Sequence, residues 1–230
     1  MLYIALVMWI VKPFINKISY KDDGVICAEC GALVKDCAEL AYKQSLSGFE
    51  FAYGIPGNVG GCIYMNASAF NKEISFIVHK TEALDTISGE IIELSNEQHR
   101  YEAKKSVFMK NKNLIILKTY FKLHRGVKEN IRAEMDKNLR RRIDTQPLDY
   151  PSAGSVFKRP SIGYASKYID ELGLKGVTVG GAQVSDKHAG FIVNLDNATS
   201  YDVMTLVSII KYKVKEKYNV SLEEEIIYIE

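Results

Sequence analysis

Gly54-Ile55-Pro56-Gly57-Asn58-Val59-Gly60-Gly61-Cys62-Ile63-Tyr64-Met65-Asn66-Ala67-Ser68-Ala69 is the stretch around which the chain is organised. Four glycines and one proline fall within positions 54 to 61. Glycine admits positive φ and lets a ligand approach the backbone with no Cβ in the way. Successive N–H groups in such a loop form a concave anion site. A helix over 62 to 69 would add free donors and a favourable dipole at its N-terminus. Phosphate or pyrophosphate is the natural guest. The spacing is neither G-x-G-x-x-G nor G-x-x-x-x-G-K-[ST], so neither a dinucleotide turn nor a P-loop is indicated. A tight surface turn is the alternative, and clustered glycines favour the ligand loop over it.

Outward from this loop, the chain has 230 residues, enough for one large domain or two small ones. It is 47% hydrophobic and 25% charged, with a formal net charge of +2. That is the balance of an ordinary globular protein and implies no polyanionic partner. Arg140-Arg141-Arg142 with Lys137 is the densest cationic cluster, and it reads as a solvated helix face rather than a nucleic-acid surface. The apolar run 1 to 11 is too short to span a bilayer, which takes about 20 residues. It lacks the flanks of a signal peptide and could be a buried strand. Cys27 and Cys30 have CxxC spacing but no second pair, so the four cysteines read as buried, reduced thiols and no metal site is expected. His79, His99 and His124 read as ordinary surface or satisfied histidines.

Periodicity predicts a hairpin of strands 15–20 and 23–28 about Lys21-Asp22-Asp23-Gly24, then an amphipathic helix over 32–46. Beyond the glycine loop it predicts strands at 74–84, 91–94 and 114–123. The second half carries helix stripes at 128–142, at 165–172 ending at Gly173, and from a Ser200 cap onward. Strands are expected at 155–157, 190–195 and 226–229. The domain boundary falls near 125, giving units 1–125 and 126–230.

Three further stretches carry possible chemistry. In Ala153-Gly154-Ser155-Val156-Phe157-Lys158-Arg159-Pro160 a serine precedes two cations; it is no nucleophile elbow, but a hydroxyl there could donate a proton, and a plain strand-edge serine is the simpler reading. The run from Gly180-Gly181 through Gln183, Ser185, Lys187 and His188 has the composition of a ligand-lining loop, with a structural turn equally open. Glu223-Glu224-Glu225 reads alone as a solvated acidic face.

Taken together, GFEFAYGIPGNVGGCIYMNASAF (48–70), TQPLDYPSAGSVFKRP (145–160), ELGLKGVTVGGAQVSDKHAGFIVNLDNAT (171–199) and VKEKYNVSLEEEI (214–226) resemble the UDP-N-acetylenolpyruvoylglucosamine reductases, also called UDP-N-acetylmuramate dehydrogenases, in their shorter type. The resemblance runs from about residue 14 to the end. It implies a mixed α+β and α/β fold: part of a PCMH-type FAD-binding domain, then a small α/β substrate-binding domain. It implies an NADPH-driven reduction of a UDP-sugar enolpyruvyl ether to UDP-N-acetylmuramate in cytoplasmic peptidoglycan precursor synthesis, with no nucleic-acid partner and no membrane insertion. By position, Gly54, Ile55, Pro56, Gly57, Asn58, Gly60 and Gly61 would cradle the FAD pyrophosphate. Ser155 takes the family's proton-donor position, and Glu225 that of its catalytic glutamate, although the usual Glu-Pro-Glu-Val context here is Glu223-Glu224-Glu225-Ile226. Lys158, Arg159, Gln183 and Ser185 would contact substrate.

Two departures stand out. Lys104 replaces the arginine of the family's Tyr-Arg-x-Ser motif, keeping the charge but losing the planar fork. Nothing before residue 14 resembles the family's further N-terminal subdomain with its glycine-rich FAD loop, so the chain reads as N-terminally truncated. The alternative function is a non-catalytic remnant that binds a UDP-sugar or nucleotide.

Overall fold

A computed structural model describes residues 15–228; the apolar run 1–11 lies outside them. The described residues form two compact units divided between Arg140 and Arg141. The division falls inside a helix, Lys128–Thr145, whereas the expected boundary near 125 lies just before that helix begins.

The first unit is built on a five-stranded antiparallel sheet in the order β1-β2-β8-β6-β7. Its strands are β1 (Ile18–Lys21), β2 (Val25–Glu29), β6 (Val78–Asp85), β7 (Ile91–Ser95) and β8 (Leu114–Lys122). β1 and β2 close about the expected turn, with Lys21 opposite Val25. Gly24 takes φ +73° there, and a Cβ would meet the Leu123 carbonyl oxygen at 2.7 Å. β8 is paired on both sides, Ile26 to Phe121 and Thr81 to Thr119. Its inward residues Ile116 and Phe121 join Ile26, Ala28 and Ala83 in the core.

Helix α1 (Val34–Lys43) covers this core with Val34, Cys37, Ala38 and Ala41, the i, i+3, i+4, i+7 stripe expected of an amphipathic helix. Burying each such aliphatic group stabilises by about 0.8 kcal/mol per CH₂. Short helix α2 (Val59–Tyr64) follows the glycine loop, and α3 (Val107–Lys110) precedes β8. The helix expected over 62–69 thus begins earlier and ends at Tyr64. Two small pairs, β3 (Leu46–Ser47) with β9 (His124–Arg125) and β4 (Ser68–Ala69) with β5 (Lys72–Glu73), complete the unit with α4 (Lys128–Thr145). Asn138 of α4 donates to the Glu50 carbonyl at 3.1 Å.

The second unit has a four-stranded antiparallel sheet ordered β10-β13-β12-β11: β10 (Ser152–Ser155), β11 (Thr178–Val179), β12 (Ala182–Val184) and β13 (Phe191–Asn194). Helices α5 (Ala165–Glu171) and α6 (Ser200–Tyr218) pack against each other through a core that includes Ile169, Leu206, Val207, Ile210 and Val214. Three expectations are corrected here. The strand placed at 155–157 is β10, ending at Ser155. The cap of α6 is Thr199, one residue before Ser200: its hydroxyl accepts from Asp202 N–H at 3.1 Å and its own N–H donates to the Asp202 carboxylate at 2.8 Å. The described part of the strand expected at 226–229 is irregular; the pairing there is a single bridge, Glu224 to Phe157.

Gly180-Gly181 is the turn of the β11–β12 hairpin. Short strands of two and three residues leave too little alternation for the sequence to display. A Cβ on Gly181 would lie 1.8 Å from the Asp196 carbonyl oxygen and 2.6 Å from the Ala198 nitrogen, backbone atoms that cannot yield. Gly181→Ala is therefore expected to cost about 3 kcal/mol of stability, whereas a substitution at the open Gly61 changes it by under about 1 kcal/mol. Denaturant unfolding of the two variants checks this; equal midpoints would contradict it.

Candidate functional site

In the first unit the glycine loop is seated on the β2–α1 connection by main-chain hydrogen bonds. Val34 N–H donates to Gly57 O (3.1 Å), Val59 N–H to Ala32 O (2.8 Å) and Gly60 N–H to Cys30 O (2.8 Å). The Asn58 side chain adds a bond from its amide to the Gly31 carbonyl. The glycines have different reasons. Gly54 adopts φ +88°. A Cβ on Gly60 would lie 3.0 Å from Cys30 Cβ and 3.2 Å from its carbonyl oxygen, so Gly60 allows the loop to seat. Gly61 is exposed, and a Cβ there would meet nothing within 4 Å. The Asn58 Oδ1, by contrast, is buried with no hydrogen-bond partner. The open space over Gly61 leaves the helix backbone there accessible to a bound group.

Lys104 sits in a tight turn closed by Glu102 N–H to Lys105 O (3.2 Å) and Lys105 N–H to Glu102 O (3.1 Å). Its backbone is left-handed, φ +58°. The turn lies beside α2, because the Ser106 hydroxyl donates to the Tyr64 carbonyl. Burial pushes the Cys62 thiol of α2 up to about 12, and the Lys104 charge acts on it in the opposite direction. The four cysteines are free thiols, and three are buried. Among the described residues no cluster of three His, Cys, Asp or Glu is placed to hold a metal.

In the second unit Ser155 and Glu225 come to adjacent backbone positions. Glu225 N–H donates to Val156 O (2.8 Å), and Lys158 N–H to Glu223 O (2.9 Å). Ser155 is exposed at the end of β10, its hydroxyl 3.4 Å from Phe157 O. The two glutamates before Glu225 are engaged by lysines: Glu223 by Lys158, and Glu224 by Lys211, which meets both its carboxylate oxygens at 3.0 Å. The Arg159 guanidinium stacks 4.4 Å over the Tyr164 ring. Gln183 and Ser185 bond within their own hairpin and turn. Gln183 donates to Gly176 O at 3.3 Å, and the buried Ser185 hydroxyl accepts from Lys187 N–H (3.1 Å) and His188 N–H (3.3 Å).

A cleft of about 300 Å³ in this unit is lined by Tyr164, Lys167, Asp170, Lys175, Lys187 and His188, among others. Lys175 pairs with Asp170 at 3.0 Å. The His188 Nδ1 accepts from Gly190 N–H at 3.0 Å, so the neutral ring carries its proton on Nε2. Burial holds His188 below the usual histidine range. Lys187 and His188 come from the run with ligand-loop composition, whereas Lys167 and Lys175 are residues that the sequence did not single out. They belong to separate turns and helices, and no local spacing links them.

These features have counterparts in known proteins. The profile of the UDP-N-acetylenolpyruvoylglucosamine reductase C-terminal domain matches residues 146–229, and an FAD binding domain profile matches residues 6–95. The reductase of Clostridium novyi (strain NT) is 43% identical over 212 residues, covering 92% of this chain and 68% of that protein. The chain belongs to the UDP-N-acetylenolpyruvoylglucosamine reductase family. The Caldanaerobacter subterraneus reductase is 47% identical over 201 residues, 87% of this chain, and the chain spans 66% of its length. The crystal structure of the Thermus caldophilus reductase superposes with a TM-score of 0.77 at 33% identity, covering 90% of this chain and 73% of that one. The expected order, an FAD-binding domain followed by the family's C-terminal domain in a mixed α and β fold, is the order found.

One histidine departs from expectation. His99 is fully buried, and neither ring nitrogen has a hydrogen-bond partner. It stacks on Tyr101, centroids 5.0 Å apart at 6°, and abuts Phe108. The Tyr101 hydroxyl is also buried without a partner. An aromatic stack holds this pair where a polar network would be usual. Burial lowers the His99 pKa below the usual value. A depressed histidine contributes stability that is present above its unfolded value, about 6.5, and is lost as pH falls through the folded one. His99→Leu removes this buried titrating ring. It should flatten the fall in stability below about pH 6.5 by up to 1.4 kcal/mol per pH unit. Unfolding midpoints between pH 5 and 8 check this; parallel curves for variant and wild type would contradict it.

Proposed function

We propose that this chain is an FAD-dependent oxidoreductase that uses NADPH to reduce UDP-N-acetylglucosamine enolpyruvate to UDP-N-acetylmuramate, in the cytoplasm, for peptidoglycan precursor synthesis. The observation that carries the reading is that Ser155 and Glu225, far apart in sequence, share one backbone junction at Val156 in a chain of this family. Bound FAD supplies the hydride-transfer chemistry. Gly54, Ile55, Pro56, Gly57, Asn58, Gly60 and Gly61 would hold its diphosphate, and the open face of Gly61 suits that role.

The chain's own residues then have distinct work. Reduction adds a hydride to one carbon of the enolpyruvyl double bond and a proton to the other. The exposed Ser155 hydroxyl is the proton donor to the carbon beside the carboxylate, which carries the developing negative charge. Glu225 assists proton delivery, while Lys158 binds Glu223 and so keeps that second carboxylate neutralised beside it. Lys104 offers its ammonium to the substrate carboxylate as a point charge. The cleft with Lys167, Lys175, Lys187 and His188 suits the diphosphate of the sugar nucleotide, with Arg159 stacked on its Tyr164 wall.

Ser155→Ala is expected to lower turnover by about 10²-fold or more while leaving flavin reduction by NADPH near the wild-type rate. Stopped-flow measurement of the two half-reactions checks this. Equal loss of both would remove Ser155 from proton donation.

A further inference from the structure

Asn66 directly follows α2 and its C-cap, Met65. It is fully buried, and its backbone takes φ +47°, a left-handed conformation that asparagine tolerates better than most residues. Its amide is saturated. Nδ2 donates to Glu73 Oε2 at 2.7 Å and to the Glu102 carbonyl at 3.0 Å, while Oδ1 accepts from Ser75 N–H at 3.2 Å. Glu73 is fixed in turn by the Ser75 hydroxyl at 3.3 Å. Glu102 opens the tight turn that carries Lys104 at its left-handed corner. The residue after that turn, Ser106, is buried and donates to Tyr64 O, on the last residue of α2. The Lys104 turn is thus tethered at both ends to the C-terminal end of the helix that the glycine loop opens.

We propose that Asn66 is a positioning residue for Lys104, fixing its ammonium relative to the glycine loop, with Ser106 as the second tether. This rests on the reading of Lys104 as the cation that meets the substrate carboxylate. Only an amide fits the post. Aspartate would set a second carboxylate against Glu73 and lose both donors, and alanine would leave the half-buried Glu73 carboxylate and the Glu102 carbonyl short of a partner. A lysine has four rotatable side-chain bonds and no planar fork, so its aim depends on how firmly its backbone is held.

Two readouts on the full chain test this. The first is acylation of Lys104 by acetic anhydride, quantified by mass spectrometry against Lys80 and Lys167. The second is a double-mutant cycle of Asn66→Ala and Lys104→Ala on the turnover of the FAD-loaded chain. Asn66→Ala is expected to change Lys104 acylation about threefold or more with the reference lysines unchanged. It should also lower kcat by about tenfold to a hundredfold, since small displacements cost this much, with the KM for NADPH unchanged. In the Lys104→Ala background the same substitution should add nothing. Ser106→Ala, a milder change, should move both readouts in the same direction and serves where Asn66→Ala fails to fold. Unchanged Lys104 acylation in a folded variant, or losses in kcat that multiply across the cycle, would overturn the proposal. A wild-type chain without turnover would sink the proposed function instead, and the acylation arm would still decide the tether.

Discussion

The seating of residues 57–60 on the β2–α1 connection is the constraint on which the first unit depends. Main-chain bonds from Val34, Val59 and Gly60 tie the loop to Gly57, Ala32 and Cys30. The bond from Gly60 is eased by the lack of a Cβ that would press on Cys30. Each buried main-chain bond contributes only about 1 kcal/mol net, but leaving its groups unpaired costs more. Once seated, the loop fixes where α2 starts, and α2 carries Cys62, Tyr64 and, just beyond, Asn66. The Lys104 turn hangs on those last residues. Loop, helix and turn therefore form one continuous chain of geometry from β2 to Lys104.

The second unit uses the same device at another place. Residues 223–225 run alongside 156–158, joined by alternating main-chain bonds. This brings the end of the chain beside β10. Charge then sorts the three glutamates: Glu223 and Glu224 meet lysines, which leaves a setting in which one carboxylate can act without two like charges beside it. The expected solvated acidic face is accordingly a set of carboxylates with individual partners.

Much of the fold was legible because long amphipathic elements announce themselves. Of the stripe read at Leu33, Val34, Cys37, Leu40 and Ala41, the structure buries Val34, Cys37 and Ala41 on α1, and the apolar strand at Leu114–Lys122 appears where the sequence places it. What failed to show was short or non-local. The β11–β12 hairpin has strands too brief to alternate, so Gly180-Gly181 looked like a ligand loop. Thr199 outcompeted Ser200 as a cap because Asp202 stands three residues beyond it and completes a capping box. His99 looked ordinary because burial is not written beside a single histidine; its neighbours Tyr101 and Phe108 arrive through a turn and a helix. The glycine loop was singled out correctly as a special backbone, but its residues divide the work: Gly60 serves packing and Gly61 faces open space. The cationic cleft was legible only in part: Lys187 and His188 lie in the run with ligand-loop composition, but Lys167 and Lys175 join them only in the folded unit.

The most direct test of the account is the visible absorption spectrum of the purified chain after addition of FAD and removal of free flavin. The account predicts a retained flavin band that bleaches with NADPH and recovers when the enolpyruvyl UDP-sugar is added. A chain that unfolds cooperatively yet retains no flavin would contradict it, and would leave a UDP-sugar-binding protein in place of a reductase.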